Sequence, residues 1–324
     1  MAVLITGATG CLGGGIARQL LAAGMSVTAQ GRDAAAGADL AQKGARFLPL
    51  DLCDPGSLTP FLAGTETVFH CAALSSAWGR AADFQALNVD ATRRLLEAAR
   101  ASGVQRFIFA SSPSIYADGT DRFDLAEDAL LPARFASHYA RTKAESEALA
   151  LSYDQPGTMR VVALRPRAIY GRGDRALMPR LLTAMRRGTL PLIAGGEALI
   201  DITHVSDAAR AMVLAADHAE TAGGRAFNIT SGETWRFSQL AGAAADLFGL
   251  SPRRRHLSYG VAMAIATGLE TLHHLVRPQV EPVLTRQAVA SLGRSLTLDI
   301  SRARADLRYV PQVTLAEGIR DYAA

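Results

Sequence analysis

Tyr139 and Lys143 stand four residues apart in the stretch HYARTKAE, His138 to Glu145. Their types and spacing could exchange a proton with a carbonyl oxygen. A free phenol has a pKa near 10, too high for easy exchange at neutral pH. An ammonium held close by favours the phenolate and lowers that value. On a helix, residues i and i+4 share a face, so the two side chains would point the same way. The chain holds only two lysines, Lys43 and Lys143, against 32 arginines. A compact ammonium can hydrogen-bond ribose hydroxyls while its field acts on the phenol, whereas a guanidinium is a planar fork of different shape. Lys143 therefore reads as a lysine kept for its geometry. The carbonyl also needs a polarising hydroxyl. Ser111 and Ser112 are the candidates, placed where the run RFIFASS (106–112) would leave a sheet. Ligands of open α/β sheets bind at such strand ends.

A second constellation is TGATGCLG (6–13), with glycines at 7, 10 and 13. It follows an apolar run of strand length and opens a helix, the context a dinucleotide-binding turn requires. Gly7 permits the tight turn, Gly10 lets backbone approach a pyrophosphate, and Gly13 lets helix pack closely on sheet. Helix-start N–H groups then meet the phosphates, with Thr9, Cys11 and Leu12 in the same turn. Asp51, in DLCD (51–54), reads either as an acceptor for an adenine amino group or as a loop or cap aspartate. The second strand ends Gln30-Gly31-Arg32-Asp33. A site for NAD needs a carboxylate there for the ribose hydroxyls. Gly31 takes that position, and Arg32 could pair with a 2′-phosphate, with Arg18 adding to the field. The cofactor is thus expected to be NADP(H), with NAD(H) the alternative through Asp33.

These residues need elements to position them. Apolar runs at 3–6, 25–30, 46–50, 67–73, 106–112 and 160–165 alternate with helical stretches near 12–23, 83–101 and 137–151. Strands alternating with helices of ten or more residues mean βαβ units, hence an α/β fold with a doubly wound parallel sheet. Residues 1–172 are expected to form this dinucleotide-binding domain. Residues 173–324 would be a smaller, mostly helical substrate-binding region, with strands near 199–204 and 226–230 returning to the main sheet.

With 324 residues, 49% hydrophobic and 20% charged, the chain has ample core for such a fold. The net charge of +4 is interspersed, and Arg253-Arg254-Arg255 reads as a solvated loop, so no nucleic-acid partner is expected. Cys11, Cys53 and Cys71 lack metal spacing and suit reduced thiols in a cytoplasm. No metal site, signal peptide or spanning segment is expected.

Together TGATGCLG, HCAA (70–73), SSPSIY (111–116), YARTK (139–143) and LRPRAIYGRGD (164–174) resemble the extended short-chain dehydrogenase/reductases over essentially the whole chain. HCAALSSAWG (70–79) and SSPSIY look most like the 3β-hydroxysteroid dehydrogenase-like branch of this epimerase/dehydratase superfamily, a branch that includes bacterial reductases of long-chain β-keto acids. The resemblance implies a Rossmann-type fold and a set of roles. Tyr139 would be the acid/base, Lys143 its modulator and ribose ligand, and Ser112 the carbonyl polariser. Gly7, Gly10 and Gly13 would hold the pyrophosphate, Asp51 and Leu52 would lie near the adenine, and Ala72 and Ala73 would line the cleft. Asn88 would stabilise the helix beside it, and Pro166 would approach the nicotinamide. His204 and Asp207 would fix a loop. His70 and Pro113 depart from the pattern of many relatives.

The activity so implied interconverts a secondary alcohol and a ketone on a largely apolar substrate, hydroxysteroid-like or β-keto acyl. A nucleotide-sugar epimerase or dehydratase and a non-catalytic NADP(H)-sensing regulator are the alternatives. Val261, Ile265, Leu269, Leu272 and Val276 recur at helical spacing. This stripe would pack into the C-terminal region, wall an apolar pocket, or make loose membrane-surface contact. A homodimer through helices 83–101 and 137–151 is expected from the resemblance, with Ala140, Ala144, Ala148 and Leu149 small enough for close packing.

Overall fold

The computed structural model describes residues 2–54, 58–175 and 177–323. Its main sheet has seven strands in the spatial order Ala226–Ile229, Arg160–Pro166, Arg106–Ala110, Thr67–His70, Ala2–Thr6, Ser26–Gly31, Arg46–Pro49. Every pairing in it is parallel. Val3 to Ile5, Phe107 to Phe109 and Val161 to Leu164 are buried without interruption, as strands covered on both faces must be. Helices Cys11–Ala22 and Val205–Asp217 contribute to the core on one face. Ala91–Ala101 and His138–Leu151 contribute to the core on the other. The strand order changes direction between Ala2–Thr6 and Thr67–His70, which opens a crevice at their carboxyl ends. The glycine-rich turn and Cys71 to Ala73 both lie there.

Several expectations need correction. The segment expected as one helix over 83–101 is helix Ala81–Phe84, a π turn Gln85–Asp90 and helix Ala91–Ala101. The π turn carries buried Asn88, whose amide bonds both backbone groups of Leu74 and the Thr142 hydroxyl. Single π turns of this kind often mark functional sites.

Next, only Ala226–Ile229 returns to the main sheet. Leu199–Asp201 lies in a separate four-stranded sheet with Thr234–Arg236, Leu296–Leu298 and Arg122–Leu125. The Asp201 carboxylate fixes it there, accepting from Leu298 N at 2.8 Å and the Thr234 hydroxyl at 2.7 Å. Thr203–His204 pairs with Ile169–Tyr170 instead. Arg253 to Arg255 is exposed but forms a strand, paired in parallel with Thr189–Ile193.

Finally, the apolar stripe of helix Tyr259–Val276 faces outward: Val261, Ile265, Leu272 and Val276 are exposed. The inward face is Ala262, Ala266 and Glu270. Small alanines let this helix pack against helix Arg286–Gly293, and Glu270 accepts from Arg286 N and Nε. Among the described residues no helix is long and apolar enough to cross a membrane. Ala140 is buried within the subunit, so it cannot serve at a pairing face.

Candidate active site

The glycine turn is built by backbone geometry. Gly7 has φ +66°, and a Cβ on it would lie 2.7 Å from Ala72 N. A Cβ on Gly13 would collide with the Gly7 carbonyl oxygen. Gly10 is exposed, caps helix Cys11–Ala22 and donates its N–H to Gly7 O. Thr9, Cys11, Ala72 and Ala73 are half-buried around the turn, while Leu12 and Leu52 are buried. Gly7 N–H itself is taken by Gln30 Oε1 at 3.0 Å. Burial pushes the Cys11 and Cys71 thiols up to about 12, which keeps both protonated and unreactive.

His70, the departure from the family pattern, is fully buried at the end of its strand. One ring nitrogen meets the Thr6 hydroxyl at 2.6 Å, the other the Thr92 hydroxyl at 2.8 Å. It ties the crevice floor to helix Ala91–Ala101. Burial, helped by the Lys143 charge, lowers its pKa to about 3, so the ring is neutral at physiological pH. The unfolded chain takes that proton near pH 6.5. The neutral form's contribution is therefore whole above about 6.5 and is lost as pH falls toward 3, by about 1.4 kcal/mol per pH unit. Urea unfolding at pH 7, 5.5 and 4.5 should show a shallower acid loss in His70→Asn than in wild type. Equal slopes would contradict this reading.

At the end of strand Ser26–Gly31 the glycine is forced: a Cβ on Gly31 would lie 2.5 Å from the Thr9 side chain. Arg32 is two-thirds exposed and touches Asp51 at 3.4 Å. Asp51 also accepts from Cys53 N, and these contacts hold its carboxyl below the usual range, the backbone bond most of all. Asp33 caps helix Ala34–Gln42 through Ala36 N and pairs with Arg175 at 2.7 Å.

The three reacting candidates converge where Arg106–Ala110 leaves the sheet. Ser112 is half-buried and caps the short turn Pro113–Tyr116, accepting from Ser114 N at 3.2 Å. Pro113 fits as the first residue of that turn, where no N–H is needed. Ser111 is buried and its hydroxyl has no hydrogen-bond partner among the described residues. Tyr139 opens helix His138–Leu151, capped by Ser137, and Ser112 lies close enough to act on its hydroxyl. Lys143 is buried one turn on, donates to the Ala110 carbonyl and lies 4.1 Å from the centre of the Phe109 ring. Pro166 is buried in the neighbouring strand.

The electrostatics differ from expectation in one respect. Burial pushes the Tyr139 hydroxyl above the ordinary phenol value, and the Ser112 side chain only partly offsets it. The ammonium that should lower it is turned to the Ala110 carbonyl. Burial in turn lowers Lys143 to about 8, against the opposing pull of Glu147.

Glu147 belongs to a buried network the sequence reading missed. Arg165 grips it with Nε at 2.8 Å and a second guanidinium bond. The same arginine reaches Tyr116 OH and the Glu127 carbonyl, and Asn228 joins Tyr116 at 3.1 Å. The signal was present: Glu147 lies four residues beyond Lys143 on the same helix face. His204 and Asp207 serve backbone. His204 caps helix Val205–Asp217, while Asp207 accepts from Gln312 N and Val313 N.

The sequence matches the NAD dependent epimerase/dehydratase family over residues 3–230. It is 40% identical to the uncharacterized protein YbjS of Escherichia coli (strain K12), across 100% of this chain and 97% of that one. It is 31% identical to a 2-alkyl-3-oxoalkanoate reductase of Shewanella oneidensis, across 98% and 84%. It is also 31% identical to sterol-4-alpha-carboxylate 3-dehydrogenase, decarboxylating, of Mus musculus, across 97% and 85%. Among solved structures, MoeE5 in complex with UDP-glucose and NAD superposes with a TM-score of 0.80 at 30% identity, covering 99% of this chain and 97% of that one. The protein is an oxidoreductase acting on hydroxyl and keto groups, and the chain belongs to the NAD dependent epimerase/dehydratase family.

Proposed function

We propose that this enzyme interconverts a secondary alcohol and a ketone of β-keto acyl or hydroxysteroid type, with net turnover of NADP(H). The observation that carries the chemistry is the convergence of Ser112 and Tyr139 beside a buried Lys143 at the end of strand Arg106–Ala110. The glycine cradle that a Cβ at Gly7 or Gly13 would fill fits a dinucleotide pyrophosphate. The nicotinamide, when bound, supplies or accepts the hydride. Tyr139 donates the proton to the carbonyl oxygen, and Ser112 donates a hydrogen bond to the same oxygen. Lys143, which donates to the Ala110 carbonyl, holds positive charge beside them and would hold the cofactor's ribose when it is bound. Reductases and a dehydrogenase among the relatives support net redox chemistry. The epimerase or dehydratase alternative draws on the likeness to MoeE5. A panel of 3-oxoacyl compounds, hydroxysteroids and UDP-glucose, read by nicotinamide absorbance, separates them. Turnover of UDP-glucose alone, without net absorbance change, would reject the proposal.

The preference for NADP(H) rests on the adenosine side. No carboxylate fits at Gly31, Asp33 is engaged by its helix and by Arg175, and the Arg32 side chain is exposed. A guanidinium there can grip a 2′-phosphate in bidentate fashion. Arg32→Ala should weaken kcat/KM for NADPH by about 1.5 to 3 kcal/mol and leave NADH nearly untouched. Equal losses with both cofactors, or a wild type that prefers NADH, would show that Arg32 does not read the phosphate.

A further inference from the structure

Four residues that line one pocket each carry a buried polar atom without a hydrogen-bond partner among the described residues: Ser114 Oγ, Arg167 Nε, Gln287 Oε1 and Arg294 Nε. Buried polar atoms are almost always bonded, so four orphans on residues lining one pocket need an explanation. Arg294 is partly committed, to Asp121 at 3.3 Å and to the face of Tyr259. Arg167 makes no side-chain hydrogen bond or ion pair among the described residues, and Asp201 acts on it only through its field. A buried guanidinium Nε–H without an acceptor is costly. An anionic guest would remove that cost.

The pocket adjoins the reacting side chains. Ser114 donates its N–H to Ser112 Oγ. Ser137 and Ala140, which also line it, flank Tyr139 in the chain. Arg167 directly follows Pro166. Helix Arg286–Gly293, rather than the stripe of helix Tyr259–Val276, supplies the far wall through Gln287. Gln287 presents an acceptor here, and rotation of its amide presents a donor instead.

We propose that Arg167, assisted by Ser114 and Arg294, forms an anion subsite that holds a carboxylate lying close to the reacting carbonyl, as in a β-oxo or β-hydroxy acid. This rests on the ketone–alcohol reading above and assigns the substrate's charged end. The carboxylate accepts paired N–H bonds from the guanidinium and one from the serine hydroxyl, which fixes the carbon chain relative to Tyr139. Arg167 is here a specificity-determining residue.

The test compares 3-hydroxydecanoate with its methyl ester as substrates with NADP⁺ or NAD⁺, in wild type, Arg167→Gln and Arg167→Lys. Wild type should favour the acid in kcat/KM by about 10- to 100-fold. That preference should collapse in Arg167→Gln and return in part in Arg167→Lys. Thermal protection by 3-hydroxydecanoate, measured with cofactor present, should follow the same order. Because Arg167 supports no other side chain by a hydrogen bond, the variants should fold. If they do not, the wild-type ratio still decides. A wild type that oxidises acid and ester equally overturns the subsite and leaves the alcohol–ketone reading standing. A wild type that oxidises neither but turns over UDP-glucose overturns both.

Discussion

Tyr139→Phe is expected to fold, to bind cofactor as wild type does, and to lose at least ~100-fold in turnover, the usual scale of general acid–base catalysis. The reason is local. The Tyr139 hydroxyl is the proton-bearing group beside Ser112, and phenylalanine keeps the ring while removing that proton. The substitution leaves Lys143 on the Ala110 carbonyl and the Ser137 cap on Ala140 N, so the helix start should survive. Cofactor titration by fluorescence checks binding, and steady-state rates check turnover. Near-normal turnover would remove Tyr139 from the chemistry.

The second large effect is on stability. Arg165 and Glu147 are both buried and bonded through two guanidinium nitrogens. Arg165→Met should cost about 3 to 5 kcal/mol, because it strands a buried carboxylate. Arg165→Met combined with Glu147→Leu should recover much of this, since no charge is then left unpaired. The single change also reaches the site. Without its partner, Glu147 is an unpaired buried carboxylate one turn from Lys143, whose protonated form its charge supports. Urea unfolding of both variants measures the stability. A single variant as stable as wild type would contradict the account of this pair.

Much of this architecture was legible in the chain. The main strands read from uninterrupted apolar runs, since parallel strands buried on both faces leave no alternation to misread. Tyr139 and Lys143 stood out because a helix puts i and i+4 on one face, and the glycine turn because its spacing sits between strand and helix. What escaped depends on long-range contacts. The π turn at Gln85–Asp90 carries Asn88, which reaches Leu74 and Thr142, and no local signal announces those partners. The outward stripe on Tyr259–Val276 misled because periodicity reports amphipathicity without saying which face is inward. Ala262, Ala266 and Glu270 decided it. Arg167 reads as one arginine among many in the sequence, and the structure sets it on one pocket with three other residues that carry orphaned atoms.

Reduction of a 3-oxoacyl compound with NADPH, or NADH if the enzyme prefers it, deuterated at nicotinamide C4 on the transferred face tests the central claim most directly. The account predicts one equivalent of cofactor oxidised per alcohol formed, with deuterium on the carbinol carbon by mass spectrometry. It would be contradicted if such ketones left the cofactor unoxidised while UDP-glucose was converted with no net redox change.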